Sequence, residues 1–378
     1  MTSLARAPRE PAVRHTPRLT RRTLLLLGAA AVAAACARPA HTGALDPVAA
    51  PSAGGPPRVE WVDVPGARLE LLDWGGPTRG GGGRAAGPPV LLLHGINTSA
   101  YLYGDLAPRL TPFARVYGLT RRGHGHSTNP AGAYDLPTLV ADVVAALDRV
   151  AAETGARRAV LVGHSWAGHE MTALAERYPD RVAGLVYLDV GFDSGALARL
   201  RALPAPPAPA PGAADLASEA AMAGWFGRTY GRGWERAEAA WRADLCATSR
   251  FGPDDRYLGD VLSDAAQARM RQVAEADHFD AGPRGALRDL PAVALFAVSE
   301  HYPARMLPPD ADAAVRRQAD AYQAAANAAV AAYAAGFRAL FPRGRVVVVP
   351  ESDHYLFLTH PALVAREVAA LVHGGPDG

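Results

Sequence analysis

The ten residues from Ala159 to Gly168, AVLVGHSWAG, constrain this chain more than any other stretch. Four apolar residues run into Gly-His-Ser-Trp-Ala-Gly, and an amphipathic segment follows from Glu170 to Arg177. That order predicts a strand, a sharp turn and a helix. A serine on such a turn sits on a strained corner with its hydroxyl exposed at the top of a sheet. Glycine is required because strand and helix backbones approach too closely there for a Cβ. Against the pattern G-x-S-x-G, Gly163 matches, Ala167 stands at the second glycine, and Gly168 follows it. An ordinary strand-to-helix turn with a solvated serine looks the same locally, so the rest of the chain must decide.

All 39 basic residues are arginine, and lysine is absent. Schiff-base chemistry, pyridoxal phosphate anchoring and a Walker-type phosphate loop are thereby excluded. Seven of the arginines lie in residues 1–38, beside a single acid, Glu10. The remaining 32 face 36 acids, and a mildly acidic body does not fit nucleic-acid binding. A length of 378 residues with 49% apolar content allows one large domain, or one domain with a lid. The two cysteines are Cys36 and Cys246; if Cys36 belongs to a targeting segment, the body keeps one thiol and no intrachain disulfide.

The N-terminus reads as an address. Arg21-Arg22 precedes an apolar run over 24–35 with a small-residue end, a pattern similar to a twin-arginine export signal. The run is shorter than the ~20 residues that span a bilayer, so an uncleaved membrane anchor is the lesser reading. Ala33-Ala34-Ala35-Cys36 resembles a lipoprotein cleavage box with Cys36 as the lipidated residue; cleavage after Ala37 is the rival. Residues 1–37 are therefore expected to be a signal segment. Residues 38–58, rich in Pro, Ala and Gly, are expected to be a flexible tether. The protein is expected to be exported, extracellular or in the cell envelope, touching a membrane only through the signal or a lipid on Cys36.

The body alternates strands and helices. Strands are expected over 59–64, 68–74, 90–93, 114–119, 159–162, 182–188, 292–298 and 345–349. Helices are expected over 136–152, where apolar residues recur at helical spacing, and over 360–372. This alternation predicts β-α-β units and a mainly parallel sheet flanked by helices. Residues 192–290 break it with a Pro/Ala stretch and helix-like segments rich in Trp, Phe and Tyr, and are expected to form an inserted helical lid. The core then comprises residues 59–191 and 291–374. Residues 303–341 are a second, alanine-rich helical insertion within it.

Four motifs follow in a fixed order. Leu93-His94-Gly95-Ile96 follows the first buried strand, and Arg121-Arg122-Gly123-His124-Gly125-His126-Ser127 follows the next. The serine turn is third, and Asp353-His354 follows the last strand. In this order they resemble the α/β-hydrolase fold of the large serine-nucleophile superfamily, over about residues 59–374. The resemblance implies Ser165 as nucleophile, His354 as its base, and an oxyanion hole from the backbone N–H groups of Ile96 and Trp166. His94 is expected to brace its loop without touching substrate. His124 and His126 fit the structural role of the Arg-Gly loop. Neither a metal nor an organic cofactor is implied.

The acid departs from the family's habit. The penultimate strand ends Ser299-Glu300-His301-Tyr302, with Tyr302 at the usual aspartate position and Glu300 two residues earlier. Some relatives take the acid from the preceding strand end, where this chain has Asp189. Glu300 is the first choice and Asp189 the alternative. The leading expectation is an exported serine hydrolase acting on carboxylic esters. Its substrate is expected to be a small, apolar ester, because aromatic residues in the lid hint at an apolar ligand, although they can equally serve to pack the lid. Amidase, thioesterase or cofactor-free haloperoxidase chemistry are alternatives, as is a non-catalytic, surface-tethered binding protein that retains the fold. A serine in place of aspartate argues against dehalogenase or epoxide hydrolase chemistry.

Overall fold

Runs of four to seven apolar residues that must be covered on both faces build the centre of the molecule. A computed structural model describes residues 55–77, 87–230, 234–275 and 285–374. The segment expected to be a signal, the expected tether up to residue 54 and Cys36 lie outside the described residues. The strands are β1 Arg58–Val64, β2 Ala67–Gly75, β3 Val90–Leu93, β4 Val116–Leu119, β5 Ala159–His164, β6 Val182–Leu188, β7 Ser249–Phe251, β8 Tyr257–Asp260, β9 Ala292–Ala297 and β10 Arg345–Val349. Eight of them form one sheet in the order β1-β2-β4-β3-β5-β6-β9-β10; β7 and β8 form a separate hairpin. From β4 to β10 every pairing is parallel, and β2 joins antiparallel at the β4 edge. Every residue of β3, β4, β5 and β9 is buried, the mark of a sheet covered on both faces.

The helices are α1 Ala107–Leu110, α2 Leu136–Thr154, α3 Ala167–Arg177, α4 Ser194–Ala202, α5 Glu219–Tyr230, α6 Trp234–Thr248, α7 Asp264–Glu275, α8 Ala313–Leu340, α9 Leu356–Thr359 and α10 Pro361–Val372. Helix α2 starts where the Asp135 carboxylate accepts from the Thr138 N–H, and stops where Gly155 turns left-handed. One face of the sheet packs on α2, α3 and the C-terminal half of α8 through residues such as Leu147, Met171 and Phe337. The other packs on α1 and α10 through residues such as Leu106, Val364 and Val368. The three carboxylates of Glu60, Asp73 and Glu153 lie together beside β1 and β2, and Arg58, Arg115 and Arg149 neutralise them. No helix among the described residues is long and apolar enough to cross a membrane.

Residues 192–290 contribute α4 to α7 and the β7–β8 hairpin, which cover the C-terminal edge of the sheet. The division expected at residue 290 does not follow the packing. Ala319 of α8, Tyr302 and Met306 share a buried cluster with Met222, Trp225 and Leu245 of the insertion. Val330, Ala334, Phe337 and Leu340 of the same helix belong to the sheet core. A helix of 28 residues is long enough to serve both layers, and α8 ties cap to core.

Candidate active site

Strand β5 delivers Ser165 to the sheet's C-terminal edge. Ser165 has φ +52°, in the left-handed region, and its N–H donates to Leu188 O at 3.0 Å, pinning the corner to the end of β6. The helix begins at once, with Gly168 N–H donating to Ser165 O at 3.0 Å. A Cβ on Gly163 would fall 2.1 Å from Met171 Sδ, and one on Gly168 would fall 2.3 Å from the Val190 side chain. A side chain at Gly168 would meet the stiff Val190, and one at Gly163 would require the Met171 side chain to move. The same hypothetical Cβ on Gly163 would lie 3.1 Å from the existing Ala167 Cβ, so the alanine is accommodated at the pattern's second glycine.

Asp189 follows β6 and also turns left-handed, with φ +53°. Its Oδ1 accepts from Ala297 N–H at 3.0 Å, and its Oδ2 accepts from His354 Nδ1 at 2.7 Å. Both side chains are largely covered, at 10% and 14% exposure. This corrects the expectation for Glu300. The Glu300 side chain is 81% exposed, and its carboxylate lies 3.9 Å from His301 Nε2. The physical reason lies past β9, where Ser299 and Tyr302 turn inward and bury while Glu300 turns outward.

With Asp189 accepting at Nδ1, the His354 proton sits on that nitrogen and Nε2 is left bare. His354 and Ser165 line the same cavity without a direct hydrogen bond, a separation common before substrate binds. His164 Nε2 donates to the His354 backbone carbonyl at 2.8 Å, and its ring lies 4.5 Å from the His354 ring. It thus clamps the loop that carries His354.

The N–H groups of Ile96 and Trp166 donate to no acceptor among the described residues, and both residues line the cavity beside Ser165. Their loop is braced from beneath. His94 Nδ1 donates to Gly95 O at 2.7 Å, and its Nε2 accepts from Arg121 N–H at 2.9 Å, which defines a neutral tautomer. Arg121 donates to both Glu170 oxygens, at 2.6 and 2.8 Å, and to His94 O at 2.8 Å. Its guanidinium also lies 4.9 Å from the Trp166 ring. The Trp166 indole N–H donates to Met270 O at 2.8 Å, joining the serine turn to α7. His124 and His126 lie in the Arg-Gly loop, against Arg122 O and Glu70 respectively, and neither lines the cavity. Among the described residues, three of the six non-glycine residues with positive φ are Asn97, Ser165 and Asp189. Strain of about 1–3 kcal/mol each thus gathers where the functional groups are held.

The cavity has a volume of about 120 Å³. Its floor is Ser165, His354 and Asp189; its roof comes from α4, α7 and α8. Tyr322, Ala326, Val330 and Tyr333 line it at intervals of four, four and three along α8, so one helix face points at the site. That spacing was the available signal in the sequence; the wall residues Arg201 and Arg271 had none. Of the two readings of the lid aromatics, packing fits Trp225 and Trp241, which lie in the apolar clusters of cap and core and do not line the cavity.

Burial holds His94 and His164 well below the ordinary histidine range, helped by Arg121 beside the first and His354 beside the second. The unfolded chain takes up protons on both near pH 6.5, while the folded chain does not. Stability is therefore full above that pH and falls as pH drops below it, by up to about 1.4 kcal/mol per pH unit for each histidine. Urea unfolding between pH 7.5 and 5 should show this slope, reduced in His94→Asn. A flat profile over that window would mean that the two imidazoles accept protons in the fold.

The alpha/beta hydrolase fold family model matches residues 88–279, and the chain belongs to that family. Epoxide hydrolase A of Mycobacterium tuberculosis is 35% identical over 139 residues, which are 36% of this chain and 39% of that protein. The 2-(acetamidomethylene)succinate hydrolase of Mesorhizobium japonicum is 33% identical over 106 residues, 28% of this chain and 37% of that one. The chain thus matches well under half the length of these relatives. Among solved structures, E-2-(acetamidomethylene)succinate hydrolase superposes with a TM-score of 0.58 at 21% identity, covering 84% of this chain and 99% of its own. An epoxide hydrolase from an endophytic Streptomyces gives 0.56 at 19% identity, covering 85% and 96%. At these identities the structural likeness speaks for the fold alone.

Proposed function

We propose that this chain hydrolyses carboxylic esters through an acyl-enzyme on Ser165. The observation that carries the reading is the meeting of Ser165, the 2.7 Å His354–Asp189 hydrogen bond and the undonated N–H groups of Ile96 and Trp166 around one cavity. His354 Nε2 takes the Ser165 proton as Oγ attacks the ester carbonyl. The imidazolium that forms is stabilised by Asp189. The oxygen that becomes negative receives the N–H groups of Ile96 and Trp166; a donor of this kind is worth about 10²–10³ in kcat. His354 then returns its proton to the departing alkoxide. Water, deprotonated by the same nitrogen, attacks the acyl-serine and frees the acid.

The relatives include epoxide hydrolases, but the nucleophile here favours acyl transfer. Opening an epoxide with a serine would leave an ether, which has no carbonyl for water to attack. An ester on serine does. The Arg21-Arg22 pair and the short apolar run after it support export as the route by which the enzyme reaches its substrate, with Cys36 as the residue a lipid would occupy.

A fluorophosphonate probe tests the reading. The native protein should be labelled on Ser165, and Ser165→Ala should not react while keeping its circular dichroism. A folded native protein that resists the probe would favour a binding protein on the same fold.

A further inference from the structure

The face of α8 that roofs the cavity begins and ends in tyrosine. Tyr322 and Tyr333 stand three helical turns apart, about 16 Å along the axis, with Ala326 and Val330 between them. The roof over Ser165 is thus polar at both ends and oily in the middle. Packing fixes each ring. Tyr322 belongs to a buried cluster with Leu200 and Ala326, and the Tyr333 ring lies 6.4 Å from that of Phe296. A Cβ on Gly191 would fall 3.4 Å from Tyr333 Cζ and 3.7 Å from its hydroxyl oxygen, so this hydroxyl rests against the chain two residues past Asp189. Neither tyrosine hydroxyl has a hydrogen-bond partner among the described residues. Burial raises both above the ordinary tyrosine range, and the Asp189 carboxylate adds to this at Tyr333, so both stay protonated donors at neutral pH. The arginines of the wall and its one carboxylate are engaged elsewhere. Arg201 meets Glu275 at 3.6 Å, Arg271 Nη2 donates to the Gln267 amide oxygen at 2.6 Å, and the Asp189 oxygens accept from Ala297 N–H and His354 Nδ1.

A plain hydrocarbon chain laid along this roof would strip water from the hydroxyls and give nothing back. A neutral oxygen on the substrate would accept from one of them, and a site built to hydrogen-bond its substrate rejects the analogue that lacks the partner. The seat of Tyr333 beside Asp189 puts its acceptor close to the scissile bond, and Val330 and Ala326 then cover hydrocarbon beyond it. We propose that the site takes esters carrying a neutral oxygen acceptor, a keto or ether oxygen, a few bonds from the scissile carbonyl, with Tyr333 as the specificity-determining donor and Tyr322 as a second donor for longer substrates. For turnover, this rests on Ser165 being the acylated nucleophile; for binding it stands apart from that role.

Methyl acetoacetate with methyl butanoate, and methyl levulinate with methyl pentanoate, form matched pairs in which a ketone replaces one methylene. Saturation-transfer NMR titration onto Ser165→Ala protein should favour the keto ester of at least one pair by about 3- to 10-fold, the scale of a neutral hydrogen bond. Tyr333→Phe in the same background keeps the ring and its packing and should remove that preference; Tyr322→Phe should leave it in place for esters this short. Rising salt should not weaken it, because no charge pairs with the ketone. In the native enzyme the ratio of kcat/KM values within that pair should follow the same order. Equal binding within both pairs, a preference that survives Tyr333→Phe, or one that salt erases would overturn the assignment. A native protein that does not react with fluorophosphonate would defeat the hydrolase reading, and the binding comparison would still decide this one.

Discussion

Asp189→Asn should lower kcat for the proposed ester hydrolysis by about 10⁴-fold in a protein that stays folded. The reason is the direction of two hydrogen bonds. Asp189 Oδ1 accepts from Ala297 N–H and Oδ2 accepts from His354 Nδ1. An asparagine must keep its oxygen toward Ala297, because an amide NH₂ there would face another donor. Its NH₂ then faces His354 Nδ1, which can meet it only as an acceptor. The imidazole proton moves to Nε2, the nitrogen that must be bare to receive the Ser165 proton. Glu300→Gln is the control. Its side chain is 81% exposed and far from this network, so kcat should change by no more than about twofold, the scale of an ordinary surface substitution. Rates by pH-stat, with urea unfolding to verify the fold, decide between the two carboxylates. A near-native Asp189→Asn, or a Glu300→Gln equally impaired, would return the acid to the loop after β9.

Arg121→Ala should lower the free energy of unfolding by about 3–5 kcal/mol at pH 7.5. The Arg121–Glu170 pair is buried, with side chains 4% and 2% exposed. Removing the cation leaves a carboxylate with no water to solvate it, and that cost exceeds any loss of packing. Burial already pushes the Glu170 carboxyl above its ordinary range, against the opposing pull of Arg121. Without Arg121 it rises further. A carboxyl with a raised folded pKa leaves the fold unpenalised below its unfolded pKa and penalises it increasingly as pH rises through the folded pKa, so the loss in Arg121→Ala should shrink as pH falls toward the ordinary carboxylate range. Arg121→Met/Glu170→Met, which leaves no unpaired charge, should recover part of the stability. Activity should fall in both variants, because Arg121 also holds His94 O and faces the Trp166 ring beneath the oxyanion site. A loss below about 1 kcal/mol in Arg121→Ala would place the pair in the range of solvent-screened surface bridges.

The elements legible in the chain were those with a local cause. Continuous apolar runs such as Val90–Leu93 can only be strands buried on both faces, and they are. Gly163 and Gly168 mark a crowded corner, although the atoms a Cβ would meet there belong to the side chains of Met171 and Val190 and not to backbone. Ser165 and His354 could be paired from the sequence because each ends or follows a strand whose C-terminal edge is common to both, and both line one cavity. The acid was not legible. Asp189 and Glu300 both lie near strand ends, and nothing local separates them. The register of β6 against β9, with Leu188 opposite Leu295, separates them by bringing Ala297 N–H to the Asp189 carboxylate.

The cap shows the same division. Its existence was readable as a break in the strand–helix alternation, and α8 as an alanine-rich helical stretch within residues 303–341. What α8 does with its two ends was not. Its Phe337 end enters the sheet core while its Tyr322 face roofs the cavity, because a rigid rod crossing two layers must serve both. From its sequence alone, then, the chain determines the sheet, the serine corner and the histidine loop, since each rests on contacts between near neighbours or on unbroken burial. Tertiary structure alone decides which carboxylate orients His354 and which cations overlook Ser165. Asp189 and His354 lie 165 residues apart, and only the register of the sheet brings them within hydrogen-bond reach, while the seating of the cap sets the cations against the same cavity.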